Sequence, residues 1–160
     1  MFGHLTTVFV LLHLANAHEQ FAAVKGKLMC GAEVAKNVVV KLYDQDFPIP
    51  PDLLDSDRSD QNGEFKLKGS TDEPTQIEPM LRIYTDCNDQ KLTPGLRAIT
   101  FFVPYEYVTD RGEVPRYFDM GTINLETRFS GEKREVLERR RHHRYQRLTY
   151  DTEADFFEGL

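Results

Sequence analysis

Four sets of side chains in this sequence have types or spacings that suggest chemistry: cysteines, histidines, clustered aspartates and a run of arginines. Cys30 and Cys87 are the only thiols. Two are too few for a four-thiolate zinc site, so a single disulfide is the chemistry open to them in an oxidising compartment. The histidines are His4, His13, His18, His142 and His143, all near one terminus or the other. A base of near-neutral pKa in the middle of the chain would therefore have to be a strongly perturbed carboxylate or cysteine. On that ground no enzymatic activity is expected.

The aspartates fall in two groups, Asp44, Asp46, Asp52, Asp55, Asp57 and Asp60, then Asp86 and Asp89. Clustered oxygens suit calcium, and Asp60-Gln61-Asn62-Gly63 has the look of a calcium-loop opening. The register of such a loop would place its closing glutamate at Thr71, and strand-like segments flank the motif. These carboxylates read as solvated turns, and no metal or cofactor is expected. Arg139-Arg140-Arg141 and Arg141-His142-His143-Arg144 are basic runs. In a secreted chain, Arg139, Arg140, Arg141 and Arg144 mark a solvated tail that folds back on acidic groups, a processing site, or a contact for polyanions such as anionic lipid headgroups.

The elements that must carry these groups are strands. A chain of 160 residues, 40% hydrophobic and 29% charged, suits one globular domain. Its apolar residues recur with a period of two: Val38, Val40 and Leu42; Phe65 and Leu67; Ile99, Phe101 and Val103. Strands are predicted near 22–29, 37–44, 53–59, 64–68, 77–84, 97–103 and 117–125. Turn signals separate them, Asn62-Gly63 the strongest because both residues tolerate positive φ. About seven short strands predict an all-β, antiparallel sandwich. Leu81 and Ile83 join the residues above as the predicted core, while Tyr43, Tyr84 and Phe102 are expected to face outward.

Charge and hydropathy divide the chain into three. Residues 1–17 contain no charged side chain and end in Ala15-Asn16-Ala17, so a signal peptide cleaved after Ala17 is expected. Residues 18–131 hold thirteen basic and nineteen acidic side chains, 132–147 seven and three, and 148–160 none and four. The boundaries are set at 18–130 for the sandwich and 131–160 for a charged tail. Helix formers and pairs such as Glu135–Arg139 predict that the tail is partly helical over Glu132–Tyr145. The net charge of −6 argues against a nucleic-acid partner. No apolar run reaches the length of a membrane-spanning helix.

Val24-Lys25-Gly26-Lys27-Leu28-Met29-Cys30, Asn37-Val38-Val39-Val40-Lys41-Leu42-Tyr43-Asp44, Pro51-Asp52-Leu53-Leu54, Asp60-Gln61-Asn62-Gly63-Glu64-Phe65, Ile83-Tyr84-Thr85-Asp86-Cys87-Asn88-Asp89 and Phe118-Asp119-Met120-Gly121-Thr122-Ile123-Asn124-Leu125-Glu126-Thr127 occur in this order. Together they resemble the nematode transthyretin-like family of small secreted proteins, over roughly residues 24–140. The resemblance implies a transthyretin/prealbumin-like β-sandwich, extracellular or at the cell surface, without enzymatic activity. One member of that family is understood to bridge phosphatidylserine on dying cells to an engulfment receptor. Tyr43 stands where the family often has Trp, Thr85 where His is common, and Gly95-Leu96-Arg97-Ala98 in place of a more basic segment. A hydrolase of the same superfamily uses histidines that this chain lacks.

The expected function is therefore that of an extracellular binding or adaptor protein. Its partner would be an extracellular protein or a cell surface, with anionic lipid headgroups included. Carriage of a small lipophilic ligand in an oligomeric channel is the alternative. Cys30, at the end of the first strand, and Cys87, after the fifth, are expected to pair. Produced in a secretory host, the mature chain should begin at His18, and N-terminal sequencing checks this; retention of residues 1–17 would refute it.

Overall fold

The computed structural model describes residues 17–45, 48, 50–89 and 94–137. Their alternation of apolar and polar side chains is realised as β1 (His18–Cys30), β2 (Glu33–Val34), β3 (Val39–Asp44), β4 (Asp52–Arg58) and β5 (Glu64–Glu73). The remaining strands are β6 (Pro79–Thr85), β7 (Leu96–Phe102), β8 (Thr109–Asp110), β9 (Tyr117–Asn124) and β10 (Lys133–Glu135). Each of the seven predicted strands is present, and β2, β8 and β10 are additional.

Two five-stranded sheets result. The first is built round β1, which pairs with β5 from His18↔Glu73 to Lys27↔Glu64 without a register break. Along its other edge β1 meets β8 and then β9, and β2 folds back on its end. The second sheet has the order β10-β7-β6-β3-β4 and is antiparallel throughout. Within the first sheet β1 and β9 run parallel, with a register shift between Lys25 and Lys27. An alternating pattern says which face of a strand is buried, not which way its neighbour runs.

The core lies between the sheets. Val24, Leu28, Val40, Leu42, Phe65, Leu67, Leu81, Ile83, Ile99 and Leu125 are buried there. Of the predicted core, Val38 and Phe101 are only partly buried at its margin, Phe101 with its ring edge-on to Phe129 at 5.4 Å. A second, smaller cluster occupies the outer face of the second sheet. Tyr84, expected to face outward, is buried there with Val39 and Ala98, beneath Leu96 and Leu137. They do face away from the core, but the chain after β10 covers them.

The expected helix over Glu132–Tyr145 is corrected at its start, because Lys133–Glu135 is strand β10, paired to β7. Its apolar stripe is too thin to dock a helix, and isolated helices of this length are marginal. The strand instead places Arg134 on Asp89 at 2.8 Å and Glu135 on Arg82 at 3.2 Å. The second sheet thus takes in residues beyond the composition shift at 130. Arg139, Arg140, Arg141 and Arg144 lie outside the described residues.

The β4–β5 turn follows its sequence signal in part. Gly63 has φ +77°, and a Cβ there would collide with the Leu28 carbonyl oxygen. Asn62 is not left-handed, so the connection is a four-residue turn closed by Gly63 N–H to the Asp60 carbonyl at 3.1 Å. Phe65, which follows this turn, is 4% exposed. Phe65→Ala should lower stability by about 3–5 kcal/mol by leaving a cavity between the sheets. Urea denaturation reads this directly; a loss under about 1 kcal/mol would contradict the packing described.

Candidate functional site

At one pole of the sandwich the ends of both sheets converge on a buried arginine. Cys30, at the end of β1, is disulfide-bonded to Cys87, just past β6, with Cα atoms 5.7 Å apart. The loop so closed has a sequence separation of 57, worth about 4 kcal/mol on the chain-entropy account. Beside it Arg97 on β7 is 2% exposed. Its Nη1 donates to the Cys87 carbonyl at 3.0 Å and the Leu125 carbonyl at 2.7 Å. Its Nη2 donates to the Thr127 carbonyl at 2.8 Å and to Glu132 at 2.7 Å, and Nε also reaches Glu132, at 3.2 Å. Arg97, and more weakly burial and Arg128 in opposite senses, set the Glu132 carboxyl, which lies below its ordinary range. This cluster is structural, since its donors are spent on backbone carbonyls.

The outer face of the second sheet carries Tyr43, Arg82, Tyr84 and Glu135. The Tyr84 hydroxyl donates to Glu135 at 3.1 Å and lies 3.4 Å from that of Tyr43. Burial, then the Tyr43 hydroxyl, pushes the Tyr84 phenol upward, so it stays neutral and serves as a fixed donor. Lys41 lies over the Tyr84 ring at 5.4 Å and Arg82 over Tyr43 at 5.2 Å. The predicted outward aromatics therefore divide: Tyr84 is closed over, whereas Phe102 is 62% exposed. Phe102 borders a groove of about 290 Å³ with Pro79, Pro104 and Tyr105.

The outer face of the first sheet is different in kind. Alternation along β1 and β5 turns Lys25, Lys27, Lys66 and Lys68 to the same side, opposite Val24, Phe65 and Leu67. The register sets Lys25 directly across from Lys66, Lys27 across from Glu64, and Lys68 across from Ala23. The four lysines thus form a diagonal stripe, with steps of about 7 Å along each strand and about 5 Å across. Like charges directly opposed are destabilising in a sheet. Lys25 has Asp119 of β9 at 3.1 Å as a partial counterion. The Gly121 N–H first, then Lys25, holds the Asp119 carboxyl below its ordinary range. Lys66 lies over the Tyr117 ring at 4.5 Å and Lys68 over Phe21 at 5.4 Å. These rings hold the ammonium heads in place without neutralising them. A groove of about 580 Å³ runs beside the stripe, lined by Lys25, Lys27, Lys66, Asp57, Arg58 and Asp119 among others.

Of the aspartates singled out in the sequence, Asp44, Asp55, Asp57 and Asp60 serve the backbone, Asp89 pairs with Arg134, and Asp46 lies outside the described residues. Asp60 accepts the N–H groups of Asn62 and Glu64, both at 2.8 Å. Asp55 accepts those of Ser56 and Lys68, Asp57 that of Arg58, and Asp44 that of Glu78. Among the described residues no group of three His, Cys, Asp or Glu is placed to hold a metal ion. His18 is the first residue of β1 rather than part of a leading segment, and lies 3.3 Å from Asp110 on β8. Ala17, exposed, immediately precedes that strand. Sequence reading missed two things, the buried Arg97 and the lysine stripe. The stripe was legible as Lys at alternate positions on two strands, but only the β1–β5 register makes it one feature.

Removing Arg97 would take from Glu132 its main partner and from the buried Cys87 and Leu125 carbonyls their donor, so Arg97→Met should cost about 3–5 kcal/mol at neutral pH. Because the folded-state pKa of Glu132 is depressed, its contribution is full above the ordinary glutamate value of about 4.3 and is lost as pH falls through the lower folded value. Denaturation curves between pH 7 and pH 3 should therefore fall more steeply for the parent than for Glu132→Gln. Equal slopes would mean that the pair contributes nothing.

Residues 25–104 match the family model described as the transthyretin-like family (TTR-52). Transthyretin-like protein 46 of Caenorhabditis elegans is 46% identical over 136 residues, covering 84% of this chain and 76% of the relative. Transthyretin-like protein 33 of the same organism is 41% identical over 139 residues, covering 84% and 96%. Among solved structures, a 9R-lipoxygenase from Cyanothece PCC8801 overlaps 66% of this chain and 16% of its own, with 19% identity and a TM-score of 0.39, too slight a likeness to carry an argument. The family match, the close relatives and the two-sheet sandwich agree: the chain belongs to the transthyretin-like family.

Proposed function

We propose that this protein is a secreted, non-enzymatic binding or adaptor protein that engages an acidic extracellular or cell-surface partner through the outer face of its first sheet. The observation that carries this reading is the collection of four lysines on one face of a sandwich that is otherwise acidic. A directly opposed Lys25–Lys66 pair works against the fold, and retaining it is consistent with use of the charge by a partner. The Cys30–Cys87 disulfide supports an oxidising compartment. The start of β1 at His18, directly after Ala17, supports removal of the preceding segment.

The alternative, carriage of a small lipophile, has one observation in its favour, the exposed Phe102 and Tyr105 beside the groove at Pro79. That groove is open, and a carrier would need assembly to enclose it. Labelled full-length protein should bind the surface of cells, and Lys25→Glu with Lys66→Glu should reduce that binding by about tenfold or more, each lysine contributing on the order of 1 kcal/mol at an anionic surface. Lys36→Glu, exposed on the turn before β3, should leave it unchanged. Equal binding by the parent and the double variant in flow cytometry would overturn the reading.

A further inference from the structure

Resting on the reading of this face as a binding surface, we infer that its ligand is a linear sulfated polysaccharide, laid along the diagonal from Lys27 through Lys25 and Lys66 to Lys68. The first ground is shape. The cations form a narrow staggered line, two strands wide at its middle and roughly 15 Å from end to end, from the spacings of a regular sheet. A patch fitted to a flat anionic surface would spread in two dimensions.

The second ground is what borders the line. Glu64 stands opposite Lys27, and Asp119 lies against Lys25. Asp57 and Asp60 line the groove alongside. A planar membrane pressed on this face would meet these carboxylates together with the lysines, and the groove would hold the surface away. A flexible polyanion one sugar wide can follow the lysines and pass between the acids. Its sulfates need regularly spaced cations rather than a shaped pocket, and the stripe supplies that spacing.

The third ground is preorganisation. Tyr117 and Phe21 lie beneath Lys66 and Lys68 at 4.5 and 5.4 Å, so these ammoniums are already placed before a ligand arrives. Ala23 between them is fully buried although it sits on the outer face. The two rings already restrict those lysine chains. Less side-chain freedom is then lost on binding.

The test uses the full-length protein and a heparin octasaccharide, with binding followed by calorimetry across a salt series. The parent should bind, and affinity should fall steeply with salt because counterions are released. Lys25→Ser combined with Lys66→Ser should weaken binding by at least about tenfold. Its melting temperature should change little, since the like-charge pair is lost together with the exposed Lys25–Asp119 and Lys66–Tyr117 contacts, and this separates lost binding from unfolding. The variant Arg139→Ser, Arg140→Ser, Arg141→Ser and Arg144→Ser should bind nearly as the parent does. The inference is overturned if the lysine variant binds unchanged or if the arginine variant alone abolishes binding. It is overturned too if the parent ignores the octasaccharide while binding phosphatidylserine vesicles. If the octasaccharide fails while cell binding still depends on Lys25 and Lys66, the ligand class falls and the binding face stands.

Discussion

The fold depends most on the buried guanidinium of Arg97. Its five hydrogen bonds join a loop after β6, the turn after β9 and the entry to β10. Those segments belong to both sheets, so a single side chain fixes their relative position at one pole. The disulfide does the same from the other side of the Cys87 loop. A cation so deeply buried is tolerable only because Glu132 and three carbonyls face it, and the buried Cys87 and Leu125 carbonyls depend on it in turn. This mutual dependence explains why the charged segment after residue 130 enters the sheet as a strand. Glu132 must be held at Arg97, and extended backbone beyond it carries Arg134 to Asp89 and Glu135 to Arg82 and Tyr84.

The first sheet is organised by a different constraint. Its one long strand, β1, serves five neighbouring tasks: pairing β2, β5, β8 and β9, and packing the core with Val24 and Leu28. With its inner side committed to the core, the outer side is free to vary, and there the lysines are collected. The scaffold beneath them is rigid because β5 pairs along ten residues of β1 without a bulge. The irregularity falls instead on β9, where Gly121 has φ +63° and Asp119 accepts its N–H at 2.9 Å. That bulge holds Asp119 beside Lys25. The binding face thus inherits its geometry from the straightest part of the sheet and its counter-charge from the most bent.

Much of the fold was legible because period-two alternation is a local signal. Val40 and Leu42, Phe65 and Leu67, and Leu81 and Ile83 all declare their inward side without reference to a partner. What was not legible depended on contacts distant in sequence. Alternation turned Tyr84 outward, but that Leu137, more than fifty residues on, would cover it was not written in its own strand. Arg97 looked like an ordinary member of a turn-strand junction, and nothing in Gly95-Leu96-Arg97-Ala98 announces that Glu132 will meet it. The helix pattern after Glu132 was real as a propensity, but over Lys133–Glu135 the ion pairs formed by an extended chain outweighed it. For the site the same division holds. Each lysine could be assigned a face from its own strand, whereas their union into a stripe required the pairing Lys25↔Lys66.

The position of β1 in the chain has a consequence for how the molecule is made. The strand that every other element of the first sheet leans on emerges from the ribosome before any of its partners. Its parallel neighbour β9 and the Glu132 partner of Arg97 emerge near the end. Until β5 emerges β1 presents two unpaired edges and an apolar side, and until β9 emerges one edge stays open; non-local pairing of this kind is intrinsically slow. The nascent chain must therefore be kept from self-association across most of its synthesis. The Cys30–Cys87 bridge can close once Cys87 has emerged, before β9 exists. An early covalent tie between the ends of β1 and β6 would hold the two half-built sheets together while the strands that complete them are still being translated.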